Sequence, residues 1–133
     1  LWAYRENIST SLKAIGNMKK LDLSVPIGSL LVFLDWIDKN LSHDQLFIFG
    51  HFGDGNLHIN IPANNTELRS IERKIYSKLK TLSGSISAEH GVGTLKKDLL
   101  GITRTQREIE ILIALKNIYD PKNLLNPGKL LPL

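Results

Sequence analysis

Gly50-His51-Phe52-Gly53-Asp54-Gly55-Asn56-Leu57-His58-Ile59-Asn60-Ile61 is the stretch on which the fold turns. Over residues 56–61 polar and apolar side chains alternate, which sets Leu57, Ile59 and Ile61 on one side of an extended chain and His58 and Asn60 on the other. Residues 45–50 form a short, strongly apolar run suited to a central strand. Asp54-Gly55 between two strand-like segments is a hairpin signal, although the glycine density predicts a looser loop than a two-residue turn. Two antiparallel strands joined in this way bring His51 and His58 close together.

The flanking segments extend the pattern. Residues 1–15 read as a helix ending at Gly16, a natural left-handed cap, and residues 20–25 then alternate around Leu21, Leu23 and Val25. After the break at Pro26, residues 27–39 carry Ile27, Leu30, Leu31, Leu34 and Ile37 on one helical face. A third helix over 66–82, introduced by Asn64 with Glu67 three residues on, stacks Leu68, Ile71, Ile75, Leu79 and Leu82. Residues 83–93 read as a short strand and loop. Thr105-Gln106-Arg107-Glu108 offers a capping box for a helix that reaches Tyr119 and is stopped by Asp120-Pro121. This order predicts an α+β fold of ferredoxin-like type, an antiparallel sheet with helices packed mainly on one face. If the apolar residues of the strands face those helices, Lys20, Asp22, His58 and Asn60 share the opposite, open face.

A chain of 133 residues, 42% apolar, is large enough for one domain with its own core, and no composition shift divides it. It opens without methionine and already in helix-like sequence, so it reads as part of something longer. No apolar run approaches the roughly 20 residues that span a bilayer, and no signal-peptide pattern is present. Without cysteine there is neither a disulfide framework nor thiolate ligation, which suits a reducing compartment. The net charge of +4 is spread along the chain. Its densest part, Arg69, Arg73, Lys74, Lys78 and Lys80, has the spacing of a solvated helix face without aromatic stacking partners, so no nucleic-acid partner is expected.

Chemistry concentrates in the glycine-rich turn and in a second stretch, Ser87-Ala88-Glu89-His90-Gly91-Val92-Gly93. Opposed residues on antiparallel strands have Cβ atoms about 4.5–5.5 Å apart, close enough for two imidazoles to share a cation. Histidine nitrogen with carboxylate oxygen suits zinc, manganese or iron, and three protein ligands leave positions for a substrate. Glu89 offers an anionic third ligand and His90 an unligated base. The plainer alternatives are glycines that shape a turn bordered by surface histidines, and a polar loop at Glu89-His90. Arg5 and Lys20 are either carboxylate-binding groups or surface charges. Trp2 anchors the first helix, Asn126-Pro127-Gly128-Lys129 ends the fold in a turn, and His43 receives no role. These residues alone leave open a metal-dependent hydrolase that activates water and a non-enzymatic domain whose exposed sheet binds protein or RNA.

The histidine-glycine stretch, the Ser87–Gly93 stretch and the run from Asp120-Pro121 to Asn126-Pro127-Gly128-Lys129 together resemble the C-terminal domain of FAD-linked oxidases. The branch is that of D-lactate dehydrogenase, glycolate oxidase and D-2-hydroxyglutarate dehydrogenase in the vanillyl-alcohol-oxidase superfamily. Leu1-Trp2 with Arg5-Glu6, and Lys20 with Asp22-Leu23-Ser24-Val25-Pro26, also match that domain's usual run. The resemblance implies that His51, His58 and Glu89 bind a divalent metal, zinc first and otherwise manganese or iron. It implies that Asn60 and His90 face the substrate, with His90 as the catalytic base, and that Arg5, Ser9 and Lys20 hold substrate carboxylate. Serine stands at Ser9 where related hydroxyglutarate enzymes have threonine, which keeps the hydroxyl, loses a methyl and leaves the hydroxy acid unspecified. Asn126 becomes a cofactor contact. The resemblance further implies FAD, bound mainly by an N-terminal domain absent from this chain, and a small 2-hydroxy acid oxidised to a 2-oxo acid. The electron acceptor is not specified, the fragment alone is expected to be inactive, and the expected compartment is the cytoplasm, or the mitochondrial matrix in a eukaryote.

Overall fold

Leu57, Ile59 and Ile61 are fully buried in the middle of a three-stranded antiparallel sheet in the computed structural model, which describes residues 2–42, 46–129 and 131. The start of the strand predicted from residue 45, and His43, lie outside the described residues, as does the side chain of Arg5. Helix α1 (Trp2–Ile15) leads into β1 (Met18–Ser24), and a 3-10 turn at Ile27–Ser29 opens α2 (Leu30–Asn40). Strands β2 (Phe47–Phe49) and β3 (Asn56–Pro62) follow, then α3 (Leu68–Thr81), a short α4 (Leu100–Thr103) and α5 (Gln106–Tyr119). Sheet order is β1-β3-β2, all antiparallel.

The α+β expectation holds, and so does its ferredoxin-like order. Where that fold has a fourth strand beside β1, this chain has one antiparallel bridge, Ser24 to Ser85. The short strand expected within 83–93 is thus reduced to a single pairing. The central strand is β3, not the apolar run before it. Strand β2 reads as central because it is apolar on both faces: Ile48 packs on the main core, and the half-buried Phe47 and Phe49 line a groove shared with α1.

Helices α2 and α3 cover one sheet face. Phe33 and Ile37 of α2 and Ile71, Ile75 and Leu79 of α3 pack on Leu21, Leu23, Leu57, Ile59 and Ile61. On α2 the buried positions are Leu30, Phe33 and Ile37, while Ile27 and Leu31 are exposed. The helix proper starts at Leu30, so the i, i+3, i+7 spacing that faces the sheet runs through Phe33. A smaller cluster of Leu100, Ile109 and Leu131 seats α5, whose Thr105–Glu108 capping box is fully formed. Asn64 does not cap α3; Asn65 accepts the Glu67 amide instead, in a turn just before the helix.

The second sheet face is less open than strand alternation implies. Helix α1 flanks it, with Ser9, Leu12 and Lys13 lining a cavity of about 570 Å³ against Lys20, Asp22, His58 and Asn60. Asp22 and Asn60 are both only 2% exposed.

Candidate metal and substrate site

Register places the chemistry in two rungs across the sheet. Asp22, His58 and Phe49 pair in one, and Lys20, Asn60 and Phe47 in the next, all on the face away from α2 and α3. His58 is half-buried between Asp22 and Phe49, with its ring 5.2 Å from the Phe49 ring.

His51 enters from the turn between β2 and β3. That turn is a 3-10 segment, Phe52–Asp54, closed by Gly55 at φ +69°, so the loop is looser than a two-residue hairpin, as its glycines indicate. Gly50 and Gly55 are required by close approach: a Cβ at Gly50 would lie 2.2 Å from the Asn56 carbonyl oxygen, and one at Gly55 2.0 Å from that of Val25. The Val25 amide donates to Gly55 O at 2.9 Å, locking the turn against the end of β1.

Glu89 and His90 come from the loop after the Ser24–Ser85 bridge. Glu89 Oε1 lies 2.8 Å from His51 Nδ1 and accepts a hydrogen bond from Asn56 Nδ2. One ligand atom from each of His51, His58 and Glu89 falls within 4.8 Å of the others. Ligands about 2.0–2.2 Å from one ion are themselves about 3–3.5 Å apart, so small side-chain adjustments close this set on a cation. The donor chemistry, two imidazoles and a carboxylate, fits zinc and its neighbours. His90, not part of that set, stacks on His58 with ring centres 5.8 Å apart and 17° between planes, and its exposed ring lines the cavity.

The remaining predicted residues divide. Ser9 and Lys20 line the same cavity as His58, Asn60 and His90. Asn60 Nδ2 donates to the Phe47 carbonyl at 3.4 Å. Arg5 belongs to α1 one helical turn before Ser9. Asn126 lies in the exposed closing turn, at φ +49°, and does not line the cavity.

Three residues escaped the sequence reading as site components. Lys13 lines the cavity one turn beyond Ser9, a position that i, i+4 spacing could have flagged. Asn56 holds Glu89 and shares the strand parity of His58 and Asn60. Asp22 accepts the backbone amides of Ala88, Glu89 and His90 at 3.1, 3.0 and 2.9 Å. Burial pushes its carboxyl up. The amides of His90 and Glu89, with the electrostatic influence of the His90 ring and of Lys96, outweigh that and hold it below the ordinary carboxylate range. Lys96, pushed down by burial and pulled back up by Asp22, donates to the carbonyl oxygens of Ile86 at 2.8 Å and Asp22 at 3.4 Å, tying the loop to β1.

The chain is 37% identical over 137 residues to the mitochondrial D-2-hydroxyglutarate dehydrogenase of Bos taurus, covering 99% of this chain and 25% of that protein. It is 36% identical over 142 residues to the D-2-hydroxyglutarate dehydrogenase of Stutzerimonas stutzeri strain A1501, covering 98% and 30%. A putative mitochondrial D-lactate dehydrogenase of Schizosaccharomyces pombe is 35% identical over 145 residues, covering 97% and 28%. The chain therefore spans between a quarter and a third of the length of these relatives. The sequence profile of the family described as FAD linked oxidases, C-terminal domain, matches residues 1–130, and the chain belongs to that family.

Proposed function

We propose that this chain is the substrate- and metal-binding domain of a longer FAD-dependent dehydrogenase that oxidises a D-2-hydroxy acid to a 2-oxo acid. One observation carries the reading: the imidazole and carboxylate atoms of His51, His58 and Glu89 converge, and His58 joins that cluster to a cavity that Lys13, Lys20 and Ser9 also line. A hydroxy acid has a chelating end, its hydroxyl and adjacent carboxylate, and the cationic groups across the cavity suit carboxylate. At about 570 Å³ the cavity lies in the ordinary range for a small ligand.

His51, His58 and Glu89 would hold the divalent ion, with zinc the first candidate and manganese or iron the others. Bound there, the ion supplies Lewis acidity that lowers the pKa of the substrate hydroxyl. His90, beside His58, takes the hydroxyl proton. Asn60, fixed by its bond to Phe47, orients the substrate oxygens, and Lys20 and Ser9, with Arg5 and Lys13 on the same helix as Ser9, hold the carboxylate end. FAD, held mainly by the N-terminal domain, would supply the acceptor for the hydride from C2, and with the hydroxyl proton left on His90 the substrate gives up two electrons and two protons in all.

The substrate is one of the class that includes D-2-hydroxyglutarate, D-lactate and glycolate. The names of the relatives favour the first two. The protein works in the cytoplasm, or in the mitochondrial matrix of a eukaryote. No helix among the described residues is long and apolar enough to cross a membrane.

The test is anaerobic mixing of the full-length protein with D-2-hydroxyglutarate or D-lactate. Bleaching of the flavin absorbance is expected, and metal-dependent hydrolysis without flavin reduction would replace this reading with a hydrolase. His90→Ala should keep its metal and slow flavin reduction about 10²–10⁴-fold, the usual range for a general base. Near-normal reduction would remove His90 from the mechanism.

A further inference from the structure

Among the described residues, two buried side-chain atoms lack a hydrogen-bond partner, Asp22 Oδ1 and Asn56 Oδ1. Both belong to residues that touch the metal-site loop. An unsatisfied buried acceptor is unfavourable by about 1–3 kcal/mol, so a carboxylate kept in that state calls for a partner it serves in the working protein.

The two oxygens of Asp22 face different segments. Oδ2 is filled by the amides of Ala88, Glu89 and His90, three successive N–H groups that converge only when the loop folds around the carboxylate. The loop is tightened further by Ser87 Oγ, which donates to Gly91 O at 2.7 Å. Oδ1 points instead at Nδ1 of His58, 3.6 Å away and directly across the β1–β3 ladder. A slight inward rotation of the imidazole makes that a hydrogen bond, with Nδ1–H donating. Nε2 then carries the lone pair and is the nitrogen left for a cation. His90 Nδ1 lies 3.8 Å from Oδ2, beyond bonding distance from an oxygen already occupied.

We infer that Asp22 is the positioning residue of the metal site: one carboxylate fixes the loop that delivers Glu89 and His90, and fixes the ring tautomer with which His58 meets the ion. The inference rests on the metal-binding role proposed above for His51, His58 and Glu89. Histidine ligands commonly donate their second ring N–H to a carboxylate, which orients the ring and raises its basicity. Asp22 adds a second duty through its other oxygen, so that β1, β3 and the 85–93 loop meet on one group. An amide in its place could still accept backbone N–H bonds but would present a donor, rather than an acceptor, to His58 on the other side.

The test compares full-length wild-type protein with Asp22→Asn and with Ile59→Val, a change on the opposite face of β3 that trims the core without touching the site. Zinc affinity is measured by competition with a chromophoric chelator. Asp22→Asn should bind zinc about 10–100-fold more weakly, and Ile59→Val should bind as wild type does. Unchanged affinity in Asp22→Asn overturns the inference while leaving the metal site standing. Failure of the wild-type protein to bind any of zinc, manganese or iron overturns the metal reading and the inference with it. Should Asp22→Asn not fold, wild-type protein decides: slow amide exchange at residues 88–90 and an Nδ1–H tautomer for His58 in histidine ¹⁵N spectra support the inference. Fast exchange there, or an Nε2–H tautomer in the metal-free protein, overturns it.

Discussion

The two faces of β3 are built from alternate residues of one seven-residue strand, yet they obey different rules. On the side toward α2 and α3, Leu57, Ile59 and Ile61 have no accessible surface, and what matters is apolar volume matched to Phe33, Ile37, Ile75 and Leu79. On the other side Asn56, His58 and Asn60 are also largely withdrawn from water, but each faces a particular atom: Asn56 and Asn60 donate to Glu89 Oε1 and Phe47 O, and His58 Nδ1 lies 3.6 Å from Asp22 Oδ1. Burial on the first face stabilises the fold through the hydrophobic effect, which is non-directional. On the second it places polar atoms in a low-dielectric setting where each unmade bond is unfavourable and each made bond is specific. The core face thus tolerates exchange of like for like, and the site face does not.

Substitutions on either side break that comparison in opposite ways. Ile59→Ala should destabilise the fold by about 2–5 kcal/mol in denaturant unfolding, because it leaves a cavity under two helices, while the folded fraction keeps its metal affinity. If the affinity falls along with stability, the two faces are not independent. Glu89→Ala reverses the pattern. Wild-type protein with metal at 100 times its dissociation constant should gain about 2.7 kcal/mol of stability, and the variant should gain none while its metal-free melting temperature stays close to that of wild type. A variant that still gains stability would place the carboxylate outside the ligand set.

The smallest expected effect lies away from both faces. Thr105→Ala removes the α5 cap and should lower stability by about 1 kcal/mol with no change in metal binding. The Glu108 carboxyl is held below its ordinary value first by the Thr105 amide and then by the Thr105 hydroxyl. Because the folded value is the lower one, the capping interaction is complete above the unfolded carboxyl pKa, near 4.3, and is lost as pH falls through the folded value. Stability measured down through that window should therefore fall more in wild type than in Thr105→Ala.

Legibility in the sequence followed the range of the interactions. Strand alternation at residues 56–61, the apolar stripe of α3 and the Thr105–Glu108 box are local periodicities, and each element formed close to its expected bounds. His51 and His58 were readable as neighbours because a short hairpin loop joins them. The apolar run of β2 misled because its second face lines an apolar groove shared with α1, which gives an edge strand the composition of a central one. Asp22 was assigned only a face, since its partners are 66–68 residues away in a loop that local propensity does not define. Resemblance to the family supplied the proposed ligand set that periodicity alone left open. It did not supply the carboxylate beneath that set.

The central claim is that His51, His58 and Glu89 grip one divalent ion. Metal analysis with X-ray absorption on the full-length flavoprotein tests it most directly. One equivalent of a divalent metal is expected, with two imidazole nitrogens and carboxylate oxygen about 2.0–2.2 Å from the ion, and with that signal lost in His51→Ala and His58→Ala. A full-length protein that reduces its flavin at full rate with no metal bound, or whose metal survives both substitutions, would contradict the account.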